Sequence, residues 1–159
     1  MNPTDFRKIC GQFATGLTVL TTTSNGEAHG ITVNSFTSVS LDPPLILFCI
    51  DKKARFNKPL TAEKSLAINI LSEEQQEISN RFANPSMTSE ERFSGLQLLS
   101  DYAYPVFDDN VGVLIAQLHQ THGGGDHWIY IAKVIKGQSF AGNPLLYHAG
   151  SYSRVNSKS

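Results

Sequence analysis

The feature that most constrains the fold is a series of short β-branched segments that are separated by turn residues. Leu17–Thr23 is rich in threonine and ends at Ser24-Asn25-Gly26, after which a second such run follows at Ala28–Val33. Asn-Gly between two runs of this kind is a strong β-hairpin signal, because both residues tolerate the positive φ of a tight turn. At Asp42-Pro43-Pro44 the chain breaks again, because proline has no N–H to donate to a strand ladder. These segments predict antiparallel strands joined by turns.

The remaining elements extend this pattern, and the predicted helices are few. Asn2-Pro3-Thr4 is a typical helix start, and the polar stretch Asp51–Lys64 predicts a second, short helix. Ser72 and Gln75 form a capping-box signature that opens a third helix. The first helix has one apolar face, which consists of Phe6, Ile9, Cys10, Phe13 and Ala14. Asn84–Ser100 is expected to be a polar, mobile connection. The further predicted strands are Ser35–Leu41, Leu45–Ile50, Leu66–Leu71, Val111–Gln120, Trp128–Val134 and Leu145–Tyr147.

The order of these elements favours a closed or nearly closed antiparallel barrel over a doubly wound sheet. Alternation of strands and helices is missing. The glycine cluster Gly123-Gly124-Gly125 leads into Asp126-His127 and not into a helix, which argues against a Rossmann dinucleotide site. A chain of 159 residues, of which 40% are hydrophobic, has the length and the apolar content for one core. We therefore expect residues 1–159 to form a single, mostly β domain.

Composition and charge exclude several other classes of protein. The formal net charge is −1, whereas a nucleic-acid-binding domain needs a broad basic surface. The longest apolar run, Pro43–Ile50, is far shorter than the roughly 20 residues that cross a bilayer. Cys10 and Cys49 form no CxxC motif and no disulfide framework, which suits a reducing compartment. The N-terminus lacks a basic segment followed by an apolar one. We expect a soluble, cytoplasmic domain.

Short polar side chains are concentrated in Gly30–Leu41. They are Thr32, Asn34, Ser35, Thr37, Ser38 and Ser40. Short donors and acceptors on an extended backbone suit a flat heteroaromatic ring with a polar edge. The same composition also fits an edge strand with one solvated face, because threonine is a good strand former.

A basic segment, Asp51–Arg55, directly follows a predicted buried strand. Three cations and the backbone N–H groups of a helix start form a suitable seat for a phosphate or pyrophosphate. A solvated basic patch is the alternative. Because this segment follows the strand that begins just after the hydroxyl-rich segment, both can line one cleft.

Three histidines, His119, His122 and His127, lie within nine residues. Their spacing matches no standard structural zinc pattern and neither cysteine is near, so we expect no metal site. The glycine turn can instead present Asp126 and His127 at a strand end, where a histidine donates hydrogen bonds near neutral pH. A structural or merely exposed histidine is the alternative.

Taken together, these segments resemble the flavin reductase-like proteins with an FMN-binding split barrel. These are small NAD(P)H:flavin oxidoreductases that supply reduced flavin to two-component monooxygenases. The resemblance covers nearly the whole chain. The matching segments are Phe13–Gly16, Val19–Thr22, Gly30–Leu45, Phe82-Ala83, Gly125–His127 and Tyr152. The fold that the resemblance implies is an antiparallel split β-barrel of Greek-key type with a few peripheral helices.

The resemblance also implies roles for individual residues. Those facing the flavin ring and ribityl chain are Thr32, Val33, Asn34, Ser35, Ser38 and Ser40. Those holding the flavin phosphate are Cys49, Ile50, Asp51, Lys52, Lys53, Ala54 and Arg55. Phe82 and Ala83 are implied as a further wall of the flavin site. His127, as the catalytic position, and Tyr152 face the nicotinamide nucleotide, where His127 positions or hydrogen-bonds the ring.

The expected activity is hydride transfer from NADH or NADPH to FMN or FAD, with reduced flavin passed to a partner monooxygenase. A homodimer is the assembly that the resemblance implies. A flavin-carrying module without reductase turnover is the main alternative. A pyridoxamine-phosphate oxidase-like protein would need more arginines for its phosphate substrate. An interaction domain without a ligand would leave the hydroxyl-rich strand, the basic segment and the Gly-Asp-His turn as coincidences.

Overall fold

The computed structural model describes residues 1–155 and is mostly β. The helices in this range are α1 (Pro3–Cys10), α2 (Asn57–Glu63), α3 (Gln76–Ala83) and α4 (Ser89–Phe93). The strands are β1 (Thr15–Gly16), β2 (Thr18–Ser24), β3 (Glu27–Val33), β4 (Thr37–Leu41), β5 (Pro44–Asp51), β6 (Ser65–Ile70), β7 (Gly112–Gly124), β8 (His127–Ser139), β9 (Leu146–His148) and β10 (Ser151–Ser153).

The strands form one large sheet and one small sheet. The large sheet has the order β3-β2-β6-β7-β8-β5-β4, and the small sheet has the order β1-β9-β10. Every strand pairing within residues 1–155 is antiparallel. One core cluster contains buried side chains from six strands of the large sheet. They include Leu20, Val33, Phe48, Ile68, Ala116 and Tyr130. The large sheet is therefore curved around this cluster, and the expectation of a mostly β, antiparallel fold is confirmed.

The two predicted turns form as the residue types require. Asn25 and Gly26 have φ values of 51° and 80°, so the β2–β3 hairpin has the positive-φ turn that Asn-Gly favours. Leu41 pairs with Pro44, so the second turn is tight and β5 begins at its second proline. Pro44 can occupy this place because it is the first residue of its strand.

The helices agree with the sequence in part. The side chain of Asn2 accepts the N–H of Asp5, as expected of a helix cap. The helix ends at Cys10, with Gly11 as its C-cap, so Phe13 and Ala14 lie beyond it and the predicted apolar face was too long. Phe6 and Ile9 on the helix remain 58% and 59% exposed, and Phe13 is 79% exposed. The segment that was expected to be a mobile connection contains α4. Thr88 begins α4 through a reciprocal capping box with Glu91.

The far ends of the large sheet approach each other just beyond β3. Ser35 follows β3, and its hydroxyl contacts the main chain of Cys49 in β5. Asp51, at the end of β5, pairs with His127, at the start of β8. The hydroxyl-rich segment, the end of β5 and the Gly-Asp-His turn are thereby brought to one place. No helix within residues 1–155 combines the length and the apolar character that a membrane crossing requires.

Candidate functional site

A cavity of about 290 Å³ lies where these three segments meet, and we call it the ring cavity. It is lined by Ile31–Ser35, Cys49–Asp51 and His127. The structure thus places Thr32, Val33, Asn34, Ser35, Cys49, Ile50, Asp51 and His127 around one space. A larger cavity, of about 460 Å³, lies between residues 99–102 and 136–140 and contains no residue that the sequence singled out.

The polar side chains of the ring cavity differ in what they can still bind. The hydroxyl of Thr32 donates to the carbonyl of Ser79 at 2.8 Å, and that of Ser35 is engaged with Cys49. Each hydroxyl oxygen keeps capacity to accept. Asn34 is exposed, and its side chain has no hydrogen bond to any residue of the described part of the chain. The cavity therefore offers the edge of a flat ring both amide donors and oxygen acceptors.

Cys49 contributes a thiol to the same wall. Its residue is half-buried, and burial raises the pKa of the thiol above its ordinary value. The thiol is therefore mostly protonated at neutral pH and behaves as a small apolar group with weak nucleophilicity.

Phe82 and Ala83 do not line the ring cavity. The Phe82 ring is only 1% exposed and packs against Phe93 and Phe107, whereas Ala83 is exposed at the end of α3. A Cβ atom built on Gly30 would lie 2.5 Å from Cε1 of Phe82. Phe82 thus packs closely against Gly30 of β3 and is not among the residues that line the ring cavity.

Tyr152 lies behind the cavity wall as well. Its hydroxyl contacts Asn80 Oδ1 at 2.7 Å and Ser79 Oγ at 3.1 Å. The Ser79 carbonyl in turn accepts a hydrogen bond from the hydroxyl of Thr32, which lines the ring cavity. Tyr152 is therefore connected to the cavity wall through Ser79.

Ser38 and Ser40 lie on β4, outside the residues that line the cavity. They are paired with Ile46 and Leu45 of β5, and Ser38 is exposed.

The basic segment is not an open seat of N–H groups. The N–H of Lys52 donates to the Asp126 carbonyl, and those of Lys53 and Ala54 donate to the Asp51 side chain and carbonyl. The Lys52 ammonium donates to the Gly125 carbonyl at 2.6 Å and lies 4.8 Å from the centre of the Trp128 ring. Lys52 therefore anchors the Gly-Asp-His turn, while the Lys53 ammonium makes no ion pair or hydrogen bond within residues 1–155.

A second cavity contains two arginines that carry no ion pair to any described residue, and we call it the arginine cavity. Its volume is about 250 Å³, and it is lined by His29, Gly30, Arg55, Phe56, Lys58, Pro59, Met87, Ser89 and Arg92. Arg55 donates to the carbonyls of Pro85 and Met87, and Arg92 donates to those of Gly30 and Asn84. The Arg92 Nε is buried without a hydrogen-bond partner among the described residues.

The electrostatics of the arginine cavity favour an anion. Burial, and secondarily the charge of Arg55, lowers the pKa of Arg92, although a guanidinium stays protonated at neutral pH. No carboxylate lines this cavity in the part of the chain that the structure describes. Sequence reasoning missed Arg92 because its segment was interpreted as mobile. The Thr88 to Glu91 capping box was the signal that would have placed Arg92 on a helix.

His127 is oriented by its neighbour. Its Nδ1 lies 2.7 Å from Oδ1 of Asp126, and this hydrogen bond, with the adjacent imidazole, lowers the pKa of the Asp126 carboxyl. The other two histidines of the motif do not join it: His119 is exposed on β7, and His122 contacts Gln120.

Comparisons with known proteins match the chain to one family over nearly its whole length. The family model described as "Flavin reductase like domain" matches residues 10–156. A probable flavin reductase of Rhizobium meliloti is 39% identical over 153 residues, which are 95% of this chain and 48% of that protein. The chain thus spans about half the length of this relative. HsaB, the reductase subunit of a flavin-dependent monooxygenase of Rhodococcus jostii, is 32% identical over 157 residues, covering 98% of this chain and 79% of that one.

A solved structure is similar over nearly the full length. It is the NADH:FAD oxidoreductase SgcE6 of Streptomyces globisporus in complex with NAD and FAD fragments. The TM-score is 0.90 at 33% sequence identity, and the match covers 99% of this chain and 96% of that chain.

Proposed function

The chain belongs to the flavin reductase-like family and is an oxidoreductase, and we propose that it transfers a hydride from NADH to the ring of FAD or FMN. The observation that carries this proposal is the ring cavity, where Asn34, the Thr32–Ser35 backbone and His127 surround one space. Neutral donors and acceptors of this kind fit the polar edge of a flavin ring. Membership of the family and the similarity to the NADH:FAD oxidoreductase SgcE6 support hydride transfer as the reaction. The ring cavity is the space that we assign to it.

The residues of the cavity bind and orient in this proposal, and none of them acts as a nucleophile. A flavin held in the ring cavity would supply the acceptor for the hydride of the dihydronicotinamide, and a proton from solvent would complete the two-electron reduction. Asn34 and the backbone of β3 hold the edge of the flavin ring. The apolar contacts of Ile31 and Ile50 keep water from its face, and His127 lies at the open side where the nicotinamide enters.

We further propose that the arginine cavity holds the phosphate or pyrophosphate of the flavin nucleotide. His29 and Gly30 line this cavity and Ile31–Ser35 line the ring cavity, so the two are consecutive along β3 and one extended ligand can occupy both. Arg55 and Arg92 supply guanidinium groups without carboxylate partners among the described residues, and charge-assisted bonds to phosphate are the strong ones. Lys53 can reach the outer side of such a phosphate, whereas Lys52 and the half-buried Ala54 serve the protein itself.

The supporting positions also belong to this proposal. Phe82 fixes the backbone of β3 behind the flavin, and Tyr152 fixes Ser79, on which Thr32 rests. Ser38, Ser40 and Ala83 are assigned to the rim, where a ligand longer than the ring cavity or a second subunit would reach them.

The proposed assembly is a homodimer of single-domain chains that passes reduced flavin to a separate oxygenase. Leu41 on β4 is 94% exposed, and Phe6 and Phe13 near the N-terminus are also exposed, so apolar surface is available for a second copy. Relatives named as reductase subunits of monooxygenases support the oxygenase partner. Two free cysteines support a reducing, cytoplasmic compartment.

The test is the oxidation of NADH and NADPH, followed at 340 nm, by purified protein with FAD, FMN or riboflavin added. We expect NADH oxidation that requires added flavin. A yellow protein that binds flavin but oxidises neither nucleotide would instead be a flavin carrier, and the proposed activity would be wrong.

A further inference from the structure

His127 is held by a carboxylate in a way that determines which of its ring nitrogens faces a ligand. Oδ1 of Asp126 lies 2.7 Å from Nδ1 of His127. An ionised carboxylate can only accept, so the hydrogen of the neutral imidazole must be on Nδ1. The remaining nitrogen, Nε2, then carries a lone pair and is a hydrogen-bond acceptor.

Lys52 fixes the turn that carries this pair. Its ammonium donates to the Gly125 carbonyl at 2.6 Å, and its N–H donates to the Asp126 carbonyl at 2.9 Å. Gly125 has a φ of +64°, a conformation that a residue with a side chain adopts only with strain. The main-chain carbonyls of both Gly125 and Asp126 therefore accept hydrogen bonds from Lys52, which fixes the backbone of the turn. The Asp126 side chain itself is 90% exposed.

The other charged groups near the ring are already engaged. The Asp51 carboxylate accepts a hydrogen bond from the main-chain N–H of Lys53. The Lys52 ammonium lies on the Gly125 carbonyl and over Trp128. Asp126 is thus the acidic side chain that bonds to the imidazole in the described part of the chain.

We propose that Asp126 and Lys52 are positioning residues that make His127 an acceptor at Nε2, and that His127 thereby selects the amino group of the nicotinamide carboxamide. This inference rests on the proposed function. The carboxamide offers both an N–H donor and a carbonyl acceptor, and an acceptor at Nε2 binds only the former. Without Asp126 the hydrogen can move to Nε2, and the ring would then bind the carbonyl instead.

The test compares NADH with its 3-acetylpyridine analogue, in which a methyl ketone replaces the carboxamide and no N–H donor remains. The quantity is the ratio of the two second-order rate constants for reduction of saturating flavin, measured by stopped flow at about pH 8.5, above the ordinary titration range of histidine. The intrinsic reactivities of the two nucleotides cancel when this ratio is compared between the wild type and a variant. The variants are Asp126→Asn and His127→Ala. Asp101→Asn, at an exposed carboxylate away from the cavity, is the control.

We expect Asp126→Asn and His127→Ala each to lower the preference for NADH by about threefold to tenfold, the range of one neutral hydrogen bond. Asp126→Glu, which keeps a carboxylate, should retain part of the preference for NADH over the analogue. The dissociation constant of the flavin should stay near that of the wild type in all of them. A merely structural role for Asp126 would change the melting temperature and not the preference. An unchanged preference in Asp126→Asn overturns the inference, whereas a wild type that does not reduce flavin with NADH overturns the proposed function.

Discussion

The hydroxyl of Ser35 accepts the N–H of Cys49 at 2.9 Å and donates to the carbonyl of the same residue at 3.0 Å. The Ser35 side chain thereby makes the two hydrogen bonds to the Cys49 main chain that a neighbouring strand would otherwise make. It also joins the two walls of the ring cavity, because Ser35 belongs to one wall and Cys49 to the other. The cavity and this part of the fold therefore depend on the same two hydrogen bonds.

Ser35→Ala should weaken both the fold and the binding of flavin. The substitution leaves a partly buried N–H and carbonyl of Cys49 without their partner, which costs about 1–3 kcal/mol. Urea unfolding measures the loss of stability, and quenching of flavin fluorescence measures the loss of affinity. Ser139→Ala, at an exposed position of β8, is the matched control. An unfolding free energy equal to that of the wild type would show that the Ser35 link contributes nothing.

Cys49 should react slowly with iodoacetamide at neutral pH, and more slowly when flavin is bound. Burial raises the pKa of its thiol, so the reactive thiolate is scarce at pH 7 and increases as the pH rises through a midpoint above the ordinary thiol value. The rate is measured by mass spectrometry in Cys10→Ser, because Cys10 is exposed. Equal rates with and without saturating FMN would move the flavin away from the Cys49 wall.

Arg92→Ala should weaken FMN binding at least tenfold and riboflavin binding hardly at all. A charge-assisted bond to phosphate contributes roughly 1.5–3 kcal/mol, and riboflavin has no phosphate. Arg55→Ala should behave in the same way. Calorimetric titration with both ligands measures the difference, and Arg154→Ala, whose side chain is 61% exposed and contacts Glu74, is the control. Equal losses for FMN and riboflavin would show that the arginine cavity holds no phosphate.

The protein should be a dimer in solution, with about twice the 17.4 kDa of one chain. The exposed Leu41 and Phe13 are apolar surface that a second copy can bury. Light scattering at micromolar concentration measures the mass. Leu41→Asp should shift the equilibrium toward the monomer if β4 is part of the interface, because a buried unpaired carboxylate is costly. A wild-type mass of one chain would contradict the proposed assembly.

Local signals in the sequence predicted the sheet well and the surroundings of the helices less well. The turn at Asn25-Gly26 and the strands on both sides of it follow from residue types that act within a few positions. The apolar face of α1 was also visible, but a periodic pattern defines a face and not what covers it, and Phe6 remains exposed. The strand at Ser151–Ser153 was not predicted, because three residues are too few for an alternating pattern to indicate a strand.

The candidate site was predictable where its parts lie close together in the sequence. The hydroxyl-rich segment precedes the turn at Asp42-Pro43 and β5 follows it, so both were expected to line one cleft. The roles of Lys52 and Arg92 were not predictable, because they depend on contacts with Gly125 and Gly30, which are 73 and 62 positions away in the chain. When a side chain and its hydrogen-bond partner are so far apart in the sequence, tertiary packing determines the pairing. The residues around either partner then show no sequence pattern that indicates it.

The close approach of Gly30 and Phe82 limits how this protein can be engineered. Any Cβ at position 30 meets the Phe82 ring, so the two positions can change only together, with a smaller side chain at 82 for every larger one at 30. A smaller side chain at 82 would also leave a gap beside Phe93 and Phe107. A mutant library intended to accept bulkier flavin analogues should therefore keep this pair constant and diversify Asn34 and Cys49, which line the ring cavity and do not belong to the cluster of Phe82, Phe93 and Phe107.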